Sequence, residues 1–517
     1  MRSKALTGLL MSLGLVLMVT AAGCSAVEQE AARGEMALED IKKGSVNSGV
    51  SIHDPQVIAS EDGTYYCYGT HMTAATSKDL IKWDSWADGV NGSNKIFDNV
   101  IAEPFDAFSF VGKNTENGYS VWAPSVIYNK KTGKYMMYFC TTSSYIKSNI
   151  VLATSDNIGG PYHYEKTIIY SGFTKKDLEL TNFNEIMGDD VATRNRYVVG
   201  GAYNNQLWPN AIDPAMFYDA DDRLWMVYGS WSGGIFVVEL DEETGEPIRP
   251  ETDDDTETDK YFGKRVIGGF HHPIEGPYIQ YDSESGYYYL FLSYGELKAD
   301  GGYQIRVLRS QNPDGPYVDA KGNSLGIKGD VNKYYDYGVK LMGNHSLPSL
   351  NVTYMAPGGQ STFVGTDGKF YIVYHQRFKD KGEFFALRVH QMLMNEDGWP
   401  CILPFAVSDE AAQEKVFSQK DLSGTFYLVD HGLDVNNVVN DYKESTLENG
   451  AISGAIEGSY NVSEDGRFVT ITTADVTYKG VAVEMKDEAG NDTLCISAVG
   501  DNNHSIWAVK YLAPAEE

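Results

Sequence analysis

The chain has 517 residues, which predicts one large domain and one smaller domain rather than a single core. Its formal net charge of −29 argues against nucleic acid and anionic lipid surfaces as partners, because both would be repelled. The 35 Tyr and 8 Trp residues are typical of a β protein that can present aromatic faces to a neutral ligand.

The N-terminal residues have the parts of a secretory signal peptide. A basic start is followed by an apolar run over residues 9–19 and by small residues before Cys24, an order that resembles a bacterial lipobox. We therefore expect a signal peptide over residues 1–23, a lipid anchor on Cys24 and a polar tether over residues 24–47. The alternative for the last segment is a disordered leader without an anchoring role. Either way, the protein is expected outside the cell or on its surface, and Cys24 is the expected membrane contact.

A short cassette returns five times within residues 48–408. Each copy begins at a turn or strand start, often with proline, and continues through an apolar run and an acidic or glycine turn to a tyrosine-rich strand. The copies are residues 53–68, 123–139, 212–228, 275–291 and 359–374. One strand-turn-strand unit cannot bury its apolar face alone, so its repetition indicates a radial or stacked β architecture. We predict an all-β fold whose main domain is a five-bladed β-propeller.

Two long segments, 166–206 and 318–355, separate cassettes and are expected to shape a cleft. After a polar linker at residues 411–414, short alternating strands return in residues 420–517. They predict a small β-barrel-like C-terminal domain, which either packs against the propeller or binds polysaccharide. Four cysteines lie in apolar strands without metal-site spacing and are expected to be buried thiols: Cys67, Cys140, Cys401 and Cys495.

Three cassettes carry a carboxylate at or beside the start of their first strand: Asp54, Asp213 and Glu275. In a propeller the first strand of each blade lines the central channel, so the three side chains should converge. Cleavage of a glycosidic bond needs one protonated carboxylic acid and one ionised carboxylate, and a third carboxylate can raise the pKa of the acid. An isolated Asp-Pro pair is an ordinary turn. Three acids in matching cassettes favour a catalytic set.

The segments around these acids resemble family 43 glycoside hydrolases, and most closely the extracellular endo-α-1,5-L-arabinanases that carry a C-terminal β domain. The matching segments are Ser51-Ile52-His53-Asp54-Pro55, Trp122-Ala123-Pro124-Ser125-Val126, Trp208-Pro209-Asn210-Ala211-Ile212-Asp213-Pro214, Gly229-Ser230-Trp231, Ile274-Glu275-Gly276-Pro277-Tyr278 and Tyr374-His375-Gln376-Arg377. The resemblance implies an inverting mechanism with Asp54 as general base, Glu275 as general acid, and Asp213 as the group that orients this acid and modulates its pKa. Such a mechanism would separate base and acid by roughly 6.5–9.5 Å.

Sugar rings have apolar faces and polar edges, so a substrate site needs an aromatic platform and hydroxyl ligands. Trp122 and Trp231 are the candidate platforms, with packing in the core as the alternative for both. Asn210 and Ser230, near Asp213 in sequence, are the candidate ligands for sugar hydroxyls.

A lone histidine at the end of a strand, such as His375, is more often a structural hydrogen-bonding group than a metal ligand. The resemblance implies that His375 binds one calcium ion in the channel, with water supplying most of the other ligands. The family's Gly-His-Asn-Ser stretch is Gly358-Gly359-Gln360-Ser361 in this chain and lacks the histidine. His345 is therefore an alternative contributor to this wall of the channel.

The predicted function is hydrolysis of internal α-1,5-L-arabinofuranosidic bonds in arabinan by a secreted, monomeric enzyme. The nearest alternative keeps the fold but acts as an exo-α-L-arabinofuranosidase or β-xylosidase. The alternative from another class is a non-catalytic, glycan-binding surface lipoprotein. The acid set argues against it, because a binding module does not need three mutually repelling carboxylates.

Overall fold

A computed structural model describes residues 33–98, 106–252, 257–327 and 332–514. The predicted signal peptide and Cys24 lie outside these ranges. Five antiparallel sheets of four or five strands are followed by a closed barrel of eight strands, which confirms the predicted all-β fold. In the described ranges, no helix is long and apolar enough to cross a membrane.

The first two blades each consist of four consecutive strands. Blade one contains β1 (Gln56–Ala59), β2 (Tyr65–Gly69), β3 (Thr73–Ser77) and β4 (Asp84–Ala87). Blade two contains β5 (Ser120–Asn129), β6 (Lys134–Thr142), β7 (Ser148–Ser155) and β8 (His163–Ser171). An insertion then carries α1 (Phe183–Met187), α2 (Val191–Tyr197) and a hairpin of β9 (Val198–Val199) and β10 (Ala202–Tyr203).

The remaining three blades follow. Blade three contains β11 (Ala215–Tyr218), β12 (Leu224–Tyr228), β13 (Ile235–Glu239), β14 (Thr258–Asp259) and β15 (Gly263–Ile267), with β14 at the outer edge. Blade four contains β16 (Ile274–Asp282), β17 (Tyr287–Tyr294), β18 (Gln304–Ser310) and β19 (Val339–Met342). Blade five contains β20 (Tyr354–Val364), β21 (Phe370–Phe378), β22 (Phe385–Met394) and β23 (Pro400–Ile402). Short 3-10 turns lie at Leu38–Asp40, Thr70–Met72, Leu178–Leu180 and Tyr334–Asp336.

The first strands of the blades close a ring. Each contacts its neighbours in the order β1, β5, β11, β16, β20 and back to β1. The inner strands of each blade are covered on both faces by adjacent blades. The third strand of blade two, β7, is accordingly buried along its whole length. Apolar and aromatic side chains therefore fill the space between blades, which accounts for the tyrosine-rich second strands.

The C-terminal barrel is formed by β24 (Gly424–Asp430), β25 (Lys443–Glu448), β26 (Ala451–Gly454), β27 (Gly458–Val462), β28 (Phe468–Thr473), β29 (Thr477–Lys486), β30 (Asp492–Gly500) and β31 (Ser505–Tyr511). Side chains of the barrel and of blades four and five share one apolar cluster. Trp507, 1% exposed, donates from its indole nitrogen to the Ile402 carbonyl at 2.8 Å. The two domains thus share a core.

Residues 33–47, the described part of the predicted tether, lie against the folded domains. The Met36 amide donates to the Tyr511 carbonyl at 3.0 Å, and the Gly44 amide donates to the Ser349 carbonyl at 2.9 Å. A free tether would therefore be limited to residues before 33, which are not described. The four cysteines discussed above are buried and free.

Candidate active site

A residue in the left-handed backbone conformation recurs at an equivalent position in, or just before, the first strand of each blade. These residues are Asp54, Ala123, Asp213, Gly276 and Gly359, with φ values of 49°, 43°, 55°, 57° and 58°. The conformation is strained for residues other than glycine, so its fivefold recurrence indicates a constraint imposed by the ring. Three consecutive residues from each blade, beginning at these positions, line one central cavity of about 40 Å³, roughly enough for a single small ion or water.

Asp54 and Asp213 hold equivalent positions in this repeat, whereas Glu275 lies one residue earlier. Glu275 precedes the left-handed Gly276 and pairs with Ser293 on the neighbouring strand. The position corresponds to Trp122 in blade two, which pairs with Cys140. The side chain of Glu275 thus leaves the backbone one residue earlier in its blade than the side chains of Asp54 and Asp213 do in theirs.

Asp54 is held as an ionised group. Its Oδ2 accepts hydrogen bonds from the Thr70 hydroxyl at 2.6 Å and from His53 Nδ1 at 2.8 Å. Burial alone would raise the pKa of Asp54, but the His53 ring, assisted by the Thr70 hydrogen bond and by Arg377, lowers the pKa below its ordinary value.

Glu275 has the opposite tendency. Its Oε1 accepts a hydrogen bond from the Tyr303 hydroxyl at 2.9 Å, and its Oε2 accepts one from the Ser230 hydroxyl at 3.0 Å. Burial raises the pKa of Glu275, and the nearby Asp54 charge adds to the shift, while the two hydrogen bonds oppose it. A raised pKa favours the protonated form that a proton donor requires.

Asp213 is the third carboxyl of the site, and its pKa shifts in the same direction as that of Glu275. Burial and the charges of Glu275 and Asp54 raise its pKa well above the ordinary value. Its Oδ2 accepts a hydrogen bond from the Gly276 amide at 3.2 Å, beside Glu275 in the chain. The structure thus brings the three predicted acids into one mutually repelling group.

His375 lies on the wall of the same channel. Its ring stacks on His53 with a centroid distance of 3.9 Å. His53, Asp54 and His375 offer potential ligand atoms that all lie within 4.8 Å of one another. A Cβ on Gly359 would come within 2.7 Å of the His375 ring, so only glycine leaves this space open.

Two features of His375 fit a metal ligand. Although the side chain is fully buried, neither ring nitrogen has a hydrogen-bond partner among the described residues. Burial, together with His53 and Arg377, lowers the pKa of His375 well below its ordinary value, so the imidazole is neutral and can donate a lone pair.

The four predicted substrate-binding residues lie in different surroundings. Trp122 and Trp231 are half-buried, and Trp231 has a left-handed backbone with φ of 44°. Ser230 bonds to Glu275, as described above. Asn210 is buried, where it donates to the Tyr145 carbonyl at 3.1 Å and accepts from the Ser171 hydroxyl at 3.3 Å.

Comparisons with known proteins show the family of the chain. A family model described as glycosyl hydrolases family 43 matches residues 191–400, and one described as a C-terminal lipocalin-like domain matches residues 404–508. The chain is 35% identical to the extracellular endo-alpha-(1->5)-L-arabinanase 2 of Bacillus subtilis (strain 168), over 89% of this chain and 93% of that protein. The chain belongs to glycoside hydrolase family 43.

Two further relatives cover both domains of this family 43 hydrolase. The extracellular endo-alpha-(1->5)-L-arabinanase of Thermotoga petrophila is 34% identical over 89% of this chain and 93% of its own length. The crystal structure of a family 43 glycoside hydrolase from Bacillus licheniformis superposes with a TM-score of 0.77 at 34% identity, covering 90% of this chain and 99% of that one.

Sequence reasoning missed several residues around the acids of this hydrolase. Thr70 and Tyr303 bond to Asp54 and Glu275 but belong to turns between second and third strands, which the cassette pattern did not cover. Tyr145 and Phe270 are exposed on two loops that meet where Tyr145 Oη lies 3.4 Å from His271 Nδ1, and the Tyr145 carbonyl accepts from Asn210 Nδ2 at 3.1 Å. No local signal distinguishes these four from other loop residues.

The alternative placement of His345 in the channel wall is wrong. His345 is buried at the boundary between propeller and barrel, where its ring packs edge-on against Trp507 and His431. Its Nδ1 lies 2.9 Å from the Gly343 carbonyl. The fifth blade instead presents Gly359 and Gln360 to the channel.

Proposed function

We propose that this glycoside hydrolase cleaves internal α-1,5-L-arabinofuranosidic bonds of arabinan with inversion of configuration. The observation that carries the proposal is the opposed state of two partly buried acids in one site, with the pKa of Asp54 lowered and that of Glu275 raised. The names of the Bacillus subtilis and Thermotoga petrophila relatives support arabinan as the substrate.

In the proposed reaction, ionised Asp54 accepts a proton from a water molecule as the water oxygen attacks the anomeric carbon. Glu275 donates its proton to the departing glycosidic oxygen as the bond between this oxygen and the anomeric carbon breaks. Asp213 is the proposed pKa modulator of Glu275, and it orients this acid because its Oδ2 accepts a hydrogen bond from the adjacent Gly276 amide.

The channel residues fit a single calcium ion held by His375, with His53 and Asp54 near it. The unpartnered nitrogens of His375 and the open space at Gly359 support this assignment. A cation there would supply positive charge close to Asp54 and so favour its ionised form. Most of the calcium ligands would be water, since the cation prefers oxygen.

Secretion, a lipid anchor on Cys24 and a monomeric state complete the proposal. The relatives' names include "extracellular", which supports a location outside the cell. The anchor rests on the sequence around Cys24 alone.

The test is hydrolysis of debranched linear arabinan by the wild-type protein and by Glu275→Gln and Asp54→Asn variants. We expect a ladder of oligosaccharides from the wild type, with inverted anomers in early proton NMR spectra and near-complete loss in both variants. Glu284→Gln, which changes an exposed acid in a turn of blade four, is the matched control and should keep full activity.

Three outcomes would change the proposal. Release of arabinose alone would indicate exo action, and retained anomeric configuration would contradict the inverting roles. Binding of arabinan without any hydrolysis would indicate a glycan-binding protein.

A further inference from the structure

The loop between β24 and β25, residues 431–442, leaves the barrel and lies against blade four. We call it the barrel loop. Three buried propeller side chains bind its carbonyl oxygens: Gln304 Nε2 donates to Asp434 at 3.0 Å, Lys340 Nζ donates to Asp434 at 2.9 Å, and the Arg306 guanidinium donates to Leu433. The hydrogen bond from Arg306 comes from a charged donor and is stronger than a neutral one, so blade four fixes the course of this loop.

Two glycines let the barrel loop approach the backbone that carries Tyr303. A Cβ on Gly302 would lie 2.6 Å from the Asn436 amide nitrogen, and one on Gly295 would lie 2.9 Å from the Val435 side chain. Contacts this close are possible only for glycine. The loop therefore packs directly on the turn between β17 and β18, one residue before Tyr303.

Val439 of the barrel loop lies against the apolar group to which Tyr303 belongs. It packs against a small apolar cluster formed by Tyr303, Met355 and Ala356, and Tyr303 itself is 2% exposed. A Cβ on Gly358 would overlap the Tyr303 ring, so the backbone of blade five also packs directly against this ring. With the ring packed in this way, the Tyr303 hydroxyl donates a hydrogen bond to Glu275 Oε1 at 2.9 Å.

We infer that Val439 of the C-terminal barrel is a positioning residue for the reaction, because it holds Tyr303 where its hydroxyl orients Glu275. The inference rests on the proposed function, which makes Glu275 the proton donor. The barrel thus contributes to catalysis by holding Tyr303, which in turn orients the proton donor Glu275.

The kinetic test compares Val439→Ala with Val438→Ala, the same substitution at the preceding residue, whose side chain is 61% exposed. A misplaced acid slows departure of a sugar oxygen, which needs a proton, but barely affects departure of dinitrophenolate, which does not. For Val439→Ala we expect kcat on arabinan to fall about five- to tenfold, with an unchanged KM and less than about a twofold change on a 2,4-dinitrophenyl arabinotrioside. Val438→Ala should match the wild type on both substrates.

Two further variants show whether the effect passes through the tyrosine. Tyr303→Phe should give the same substrate pattern, and adding Val439→Ala to it should cause no further loss. Val439→Thr, which keeps the shape of valine, should retain activity. The inference is overturned if Val439→Ala slows both substrates equally, or if it lowers kcat as much in the Tyr303→Phe background as in the wild type.

Crystal structures of the two valine variants decide the same point without any activity measurement. We expect the distance from Tyr303 Oη to Glu275 Oε1 to exceed 3.5 Å, or a second tyrosine conformer, in Val439→Ala but not in Val438→Ala. An unchanged Tyr303 in Val439→Ala would refute the positioning role. A wild-type protein that does not cleave arabinan would instead refute the proposed function. The distance from Tyr303 Oη to Glu275 Oε1 in the variant crystals would still test whether Val439 positions Tyr303.

Discussion

Thr70 connects Asp54 to the neighbouring blade. Its hydroxyl donates to Asp54 Oδ2 at 2.6 Å and accepts from the Ala123 amide of blade two at 3.0 Å. One hydroxyl thus orients the proposed base and fixes the junction between two blades. A hydroxyl can serve both partners because its oxygen donates one hydrogen bond and accepts another, whereas the isosteric valine can serve neither.

Thr70→Val should therefore lower kcat/KM on arabinan by about tenfold, since a hydrogen bond to a charged group is lost. The hydrogen bond from Thr70 lowers the pKa of Asp54, so its removal raises that pKa. A base must be ionised, and the acidic limb of the pH–rate profile should move to higher pH. Thr70→Ser keeps the hydroxyl and should behave like the wild type. Equal profiles for the two variants would contradict this role.

Ser230→Ala removes one of the two hydrogen bonds to Glu275. The bond lowers the pKa of Glu275, so the variant should have a higher pKa there. An acid must be protonated, so activity should persist to higher pH while kcat at the optimum falls about three- to tenfold from poorer orientation. The measurement is kcat/KM against pH. Ser283→Ala, in an exposed turn of blade four, should leave the profile unchanged, and a shift of the alkaline limb to lower pH would argue against Glu275 as the acid.

Calcium removal tests the channel site. A chelator should reduce the rate at least about tenfold, calcium should restore it, and calorimetry should detect calcium binding to the wild type but not to His375→Ala. His390→Asn is the comparison, because both nitrogens of His390 already lie near partners, at 3.0 Å from Tyr374 Oη and 2.8 Å from the Leu403 carbonyl. This variant should be less stable yet still bind calcium. Full activity in chelator, without calorimetric binding, would remove calcium from the proposal.

The exposed aromatic residues on the loops near Asn210 should contribute to binding of the polymer. Tyr145 is 63% exposed and Phe270 is 41% exposed on neighbouring loops. Their replacement by alanine should raise KM for arabinan about fivefold each with little change in kcat, because stacking on sugar rings stabilises ground state and transition state alike. Tyr128→Ala, at a 45% exposed tyrosine near the end of β5, is the control. A drop in kcat alone would indicate a different role.

Lys340 predicts a pH dependence of stability at the interface with the barrel loop. Burial, with a contribution from Arg306, lowers the pKa of this lysine from 10.5 to about 7. Below pH 7 both folded and unfolded states are protonated, and the buried charge destabilises the fold in full. Between pH 7 and 10.5 the unfolded state binds more protons, so stability should rise with pH by at most about 1.4 kcal/mol per unit.

Lys340→Met should remove this rise, and chemical denaturation at pH 7 and pH 9.5 measures it. Lys321→Met changes an exposed lysine and should keep the wild-type slope. If the slope of Lys340→Met matches the wild type, the lysine is not held with a lowered pKa.

The repeated cassettes were sufficient to predict the propeller, because strand and turn preferences are local and recur at a readable spacing. They also located Asp54, Asp213 and Glu275, since the first strand of every blade lines the channel. Fold class and family could thus be predicted from the sequence alone. The sequence shows the one-residue offset of Glu275 in its distance to Pro277, but the left-handed Gly276 and the register shift before Tyr278 were visible only in the structure.

Only the tertiary structure determined which groups support the acids. Tyr303 lies 28 positions from Glu275, and Val439 belongs to another domain, so no local pattern links them. Side-chain contacts between distant segments depend on how blades and barrel pack, as the glycines at positions 302 and 358 demonstrate. Sequence determined the chemical groups at the channel, and packing between distant segments determined their partners and protonation.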